Sequence, residues 1–89
     1  MYYVYILVLN NSQLYTGSTG DLKRRYPEHK NGKVISTKLR RPLELIHYEA
    51  YFKKSDATRR ERFLKTTEGK RLLKQQLRDI LVEKSVIKV

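Results

Sequence analysis

The chain has 89 residues, enough for one small domain around a single core, and no cysteine, which excludes a disulfide framework and a cysteine-ligated zinc site. Twenty Lys and Arg against nine Asp and Glu give a formal charge of +11. Polyanions are therefore the expected partners: nucleic-acid phosphates first, then anionic membranes or ribosomal RNA. No apolar run approaches the ~20 residues of a membrane span. Met1-Tyr2-Tyr3 lacks the basic start of a signal peptide, so no membrane association and a cytoplasmic location are expected.

Tyr3 to Leu9 is rich in aromatic, β-branched and aliphatic residues and reads as a strand. Asn10-Asn11-Ser12 is a turn cluster, and Gln13 to Gly17 reads as a second strand, so the two form a hairpin. A three-residue loop sets Leu7 opposite Tyr15 and puts Tyr5 and Tyr15 on one face as diagonal neighbours. A two-residue loop would put them on opposite faces. A helix follows, with Thr19 or Asp21 as its cap. Leu22, Arg25, Tyr26 and His29 fall on one stripe of it, Pro27 interrupts it, and Asn31-Gly32 ends it.

Lys33 to Arg41 is a basic loop, and Leu43 to Phe52 reads as a third strand. Ser55 is the expected cap of a helix from Asp56 to about Thr66, and Thr67-Glu68-Gly69 breaks the pattern. Lys70 to Val82 is a second amphipathic helix, with Leu72, Leu73, Leu77, Ile80 and Leu81 inward. The order is β-β-α-β-α-α: an α+β fold with a small three-stranded antiparallel sheet flanked by helices. One domain is expected over residues 1–82, with a short tail over 83–89.

Arg25 and His29 are four apart, so a helix stacks them. On an inward stripe they need a polar cleft or partners; at its edge they stand in water. Glu61 lies at the apolar edge of its helix among Arg59, Arg60, Arg62 and Lys65. It reads either as a surface ion pair or as a hard oxygen ligand for Mg²⁺ or Mn²⁺. Seven tyrosines are many for this length. Tyr3, Tyr48 and Tyr51 read as core residues with wet hydroxyls, and His47 as structural. Ser36, Thr37, Lys38, Arg40 and Arg41 form a loop suited to phosphates.

Taken in order, these residues resemble the GIY-YIG nuclease superfamily. Tyr3-Val4-Tyr5 stands where that family has Gly-Ile-Tyr, and Tyr15-Thr16-Gly17 where it has Tyr-Ile-Gly. The family's helical arginine and histidine fall on Arg25 and His29, and its metal-binding glutamate on Glu61. Arg40 to Leu45 and Tyr48-Glu49 are similar to the small stand-alone bacterial branch. The asparagine that many members carry late in the domain has no counterpart, since the asparagines here are Asn10, Asn11 and Asn31.

The resemblance implies a metal-dependent endonuclease acting on DNA, with RNA as a further substrate and repair or recombination as a setting. Glu61 would hold one Mg²⁺ or Mn²⁺, and Arg25 would neutralise the phosphoryl oxygens. Tyr5 would orient or deprotonate water, helped by His29 and Tyr15, and Gly17 would let the backbone pass close to the site. Two other classes stay open: a non-catalytic nucleic-acid-binding module that retains the fold, and a ribosome-associated protein. A binding module has no use for a carboxylate facing phosphate, which favours the enzyme. Substrate shape or a protein partner would supply specificity.

Overall fold

The computed structural model describes residues 1–88. Three strands, β1 (Tyr2–Val8), β2 (Leu14–Thr19) and β3 (Glu44–Tyr51), form one antiparallel sheet in the order β2-β1-β3. β1 is central, so both its faces are covered, and Val4 to Leu7 are each at most 1% exposed. This explains why the strand reads as a continuous apolar run rather than an alternation. The hairpin takes the odd loop: Leu9 N–H donates to Gln13 O at 2.8 Å, and Leu7 pairs with Tyr15. Tyr5 and Tyr15 therefore share a face, and Gly17 lies directly opposite Tyr5.

The two faces carry different helices. On one, Val4 and Ile6 pack with Ala57 and Leu64 of α2 (Lys54–Leu64) and Leu73 of α3 (Thr67–Gln76). On the other, Tyr5, Leu7 and Leu9 meet Leu22 and Tyr26 of α1 (Leu22–Lys30). Asp21 caps α1, its carboxylate accepting from Arg24 N–H at 3.1 Å. Thr19 instead accepts from the Asp21 N–H.

Several expectations are corrected. Pro27 does not interrupt α1, which runs through it. The carbonyl it leaves without a helical donor is that of Lys23, on the exposed first turn and so open to solvent. α2 starts from Lys53, whose carbonyl accepts from Ala57 N–H, and Ser55 makes no capping bond. Thr67-Glu68-Gly69 is not a break but the first turn of α3, capped by the Thr66 hydroxyl on Gly69 N–H. The last long helix is two: α3 ends at Leu77, and α4 spans Arg78–Glu83. An unbroken helix would rotate the i, i+4 row away from the core, and the joint re-aims Leu81, which is fully buried. Leu72, expected inward, is left 39% exposed.

Val86 and Ile87 N–H groups both reach back to Leu81 O. The expected tail over 83–89 ends on Val89, which lies outside the described residues. Among the described residues no helix is long and apolar enough to cross a membrane.

Candidate active site

Tyr5 sits in the middle of the central strand and is 1% exposed. A ring there must place its hydroxyl on a polar partner. The partner is His29 of α1: Tyr5 Oη lies 2.8 Å from His29 Nε2. His29 is itself fully buried, and its Nδ1 lies 2.8 Å from Thr37 Oγ1, also fully buried. The stripe from Leu22 to His29 therefore does face inward, and its histidine has found partners on both nitrogens. Tyr15 closes the group, its ring edge-on to His29 at 5.3 Å and tilted to Tyr5 at 6.3 Å. Its hydroxyl accepts from Ser36 Oγ at 3.4 Å.

Gly17 makes this packing possible. A Cβ there would meet Tyr5 Oη at 2.5 Å and Tyr5 Cζ at 2.6 Å, well inside contact distance. The backbone of β2 passes against the phenol because it carries no side chain.

Burial pushes the Tyr5 phenol above its ordinary value, and the Arg25 guanidinium beside the hydroxyl offsets this only in part. Burial, then the Arg25 charge, holds His29 below its ordinary value. The site thus rests as a neutral phenol on a neutral imidazole, not as a preformed tyrosinate. Arg25, half-exposed, also donates to Glu28 Oε1 at 3.3 Å, leaving part of its fork toward solvent.

Glu61 comes from the other face. α2 presents it at the β2 edge, where Ser18 Oγ donates to Oε1 at 2.8 Å and Lys65 Nζ to Oε2 at 3.0 Å. Ser18 follows Gly17 in the chain, so the carboxylate is tied to the strand segment that packs on Tyr5. Its charge reaches the phenol and helps raise its pKa. Glu61 is thus an ion pair at the β2 edge whose charge is felt by the phenol.

Among the described residues no group of three or more His, Cys, Asp or Glu side chains could enclose a metal. One hard carboxylate, 20% exposed and already facing an ammonium, fits an Mg²⁺- or Mn²⁺-type ion that takes most of its ligands from water and phosphate.

The residue before Glu61 is tied to the sheet. Arg60 forks onto Glu49 of β3 with contacts of 2.9 and 3.2 Å. Tyr51 Oη donates to the same carboxylate at 2.7 Å, and His47 Nε2 lies 3.0 Å from it. Burial alone would raise the Glu49 pKa, but these three partners together hold it at about 2. The charge pair ties α2 to β3 one residue before Glu61, beside the packing of Ala57 and Leu64 on the sheet.

The loop residues separate. Lys38, Arg40 and Ser36 are exposed, as a phosphate-binding surface needs. Arg41 is exposed but partly engaged, its Nε donating to Lys38 O at 3.1 Å. Thr37 does not belong with them: its hydroxyl is buried against His29 and cannot meet a phosphate. Sequence reasoning missed this role because the seven residues between the pair are mostly irregular chain. It missed Ser18 as well, although strand alternation from Gly17 points Ser18 toward the helix carrying Glu61.

A three-stranded antiparallel sheet with a phenol, imidazole and guanidinium between β1 and α1, and a carboxylate of α2 at the β2 edge, has the make-up of a nuclease-type α+β domain. The family model described as the GIY-YIG catalytic domain matches residues 1–75, and the chain belongs to the GIY-YIG family. Its relatives form a small single-domain group. A UPF0213 protein of Staphylococcus epidermidis is 43% identical over 74 residues, covering 82% of this chain and 90% of the relative. One of Haloquadratum walsbyi is 39% identical over 82 residues, covering 89% and 92%. The solution NMR structure of a UPF0213 protein from Bacillus halodurans superposes with a TM-score of 0.55 at 35% identity, covering 85% of each chain.

Proposed function

We propose that the protein is a divalent-metal-dependent endonuclease that hydrolyses phosphodiester bonds in DNA. The observation that carries this reading is the buried chain of hydrogen bonds Tyr5–His29–Thr37. A solvated binding surface has no need of it, whereas general base catalysis does. General base catalysis calls for the tautomer in which Nδ1–H donates to Thr37 Oγ1 and the Nε2 lone pair faces Tyr5. In the hydrolytic step a water oxygen attacks phosphorus as its proton passes to Tyr5 Oη. The phenolic proton moves to His29 Nε2, and the bond from phosphorus to the 3′ oxygen breaks; that oxygen leaves with the bonding pair and takes a proton from solvent, to which the imidazolium later returns one. The depressed His29 pKa keeps the ring neutral and able to accept at neutral pH.

Arg25 neutralises charge on the phosphoryl oxygens, for which a permanently charged fork is suited. Tyr15 holds the Tyr5 and His29 rings in register. Glu61 would hold the ion, which when bound supplies positive charge to the phosphate and the leaving oxygen. The +11 charge provides salt-sensitive affinity for the backbone.

The test is cleavage of labelled single strands, duplexes, flaps and junctions in Mg²⁺, Mn²⁺ or EDTA, beside Glu61→Gln. Metal-dependent cuts that vanish in the variant, with DNA binding kept or improved, are expected. Equal loss of binding and cleavage would remove Glu61 as the ligand. The non-catalytic binding module draws support from one contact, the Lys65 ammonium that already neutralises Glu61. Tight binding without cuts in any metal would establish that reading instead.

A further inference from the structure

Tyr48 breaks the expectation that sheet tyrosines are core residues: it is 55% exposed. It pairs with Tyr5 across the sheet and so lies on the same face, on the edge strand β3. α1 leaves this half of the face uncovered. Between α1 and β3 runs a cleft of about 480 Å³, lined by Tyr3, Tyr26, Tyr48, Leu45, Pro27 and Lys23. Pockets that take small planar ligands have volumes of roughly 300–1,000 Å³.

The rings are held in place. Tyr3 and Tyr48 meet edge-on at 6.0 Å. The Tyr26 hydroxyl accepts from Leu45 N–H at 3.2 Å, and Lys30 Nζ covers the Tyr26 ring at 5.3 Å. Lys23 contributes a positive charge that has no ion pair among the described residues, and the Asp21 carboxylate, also at the cleft, caps α1. Aromatic faces beside a cation are the means by which proteins hold unpaired bases.

The cleft lies beside the candidate active site, since Tyr48 is the cross-strand neighbour of Tyr5. Tyr3 and Tyr5 are successive same-face residues of β1, and Tyr26 follows Arg25 on α1. We propose that this cleft stacks an unpaired nucleobase of the substrate strand, mainly on Tyr48, and so directs the site toward nucleic acid with single-stranded segments. The proposal rests on the reading of the neighbouring site as a nucleic-acid-cleaving one. It adds the feature of the substrate that is recognised.

The experiment measures binding in EDTA, so that no cleavage intervenes. Fluorescence anisotropy is recorded for a short single strand and for a blunt duplex with wild type, Tyr48→Ala and Tyr48→Phe. A parallel strand carries 2-aminopurine, whose emission reports stacking. Tyr48→Ala is expected to weaken single-strand binding about tenfold, leave duplex binding within about twofold, and abolish 2-aminopurine quenching. Tyr48→Phe is expected to retain all three. Equal weakening of both nucleic acids would overturn the proposal. So would unchanged single-strand binding by Tyr48→Ala, which would leave an apolar peptide as the occupant of the cleft. Failure of the wild type to bind either nucleic acid at low salt would instead sink the reading of the whole site, and the proposal with it.

Discussion

Glu49→Gln is the perturbation whose size the structure fixes best. The Glu49 side chain is 17% exposed and meets the Arg60 fork, the Tyr51 hydroxyl and His47. Its pKa falls from an ordinary 4.5 to about 2. At roughly 1.4 kcal/mol per pKa unit, the ionised form stabilises the fold by about 3 kcal/mol. That is a large fraction of the ~5–15 kcal/mol typical of a whole domain. Because the folded pKa is depressed, the contribution is complete above 4.5 and is lost as pH falls toward 2. Glutamine keeps some hydrogen bonds but not the charge, so the variant lacks this dependence. Urea unfolding followed by far-UV circular dichroism, at steps from neutral pH down to about 2.5, gives the comparison. Wild type should exceed the variant near neutrality by about 2–3 kcal/mol, and the gap should close in acid. His29, also depressed, loses stability below its ordinary 6.5, but equally in both proteins. A gap that stays constant across the whole range would refute the ionic account of this cluster.

Thr37→Val preserves shape but leaves His29 Nδ1 without its hydrogen-bond partner in a buried site. Stability should fall by about 1–3 kcal/mol and cleavage should fall further than DNA binding, while Thr37→Ser restores both; equal behaviour of Val and Ser would dismiss the hydroxyl's role. A Cβ on Gly69 would collide with Phe63 O, a backbone atom that cannot swing aside. Gly69→Ala should therefore lower the melting temperature by more than about 10 °C, and a change of a few degrees would mean the α2–α3 crossing adjusts freely. Arg25→Lys should not restore cleavage, since a point charge cannot replace a planar fork on a phosphoryl group; near-normal rates would take Arg25 out of the mechanism.

Period and parity account for what was readable beforehand. Strand alternation plus a three-residue loop was enough to bring Tyr5 and Tyr15 to one face. Helical spacing was enough to bring Arg25 and His29 to one stripe. What escaped depended on irregular chain or on ambiguous local signals. Thr66 and Gly69 are three apart, a spacing that serves equally as a helix start or as an interruption. Only the approach of Phe63 O explains why residue 69 has no side chain. The joint at Leu77 answers to the position of the sheet beneath it, which no local pattern records. Tyr48 was misassigned because alternation reports which face a residue takes and not whether a helix covers it there.

The bond from His29 to Thr37 has one more consequence. Thr37 is the buried anchor of an otherwise exposed basic segment, between Ser36 and Lys38 and close to Arg40 and Arg41. One threonine thus couples the surface that would grip a polyanion to the ring that would take a proton. A strand that fits this segment as folded leaves the hydroxyl on Nδ1. A strand that drags it aside frees the imidazole to turn or to change tautomer, and the phenol loses its acceptor. On the proposed function, substrate shape would then be checked before any bond is broken, by whether the loop can hold the nucleic acid and the histidine together.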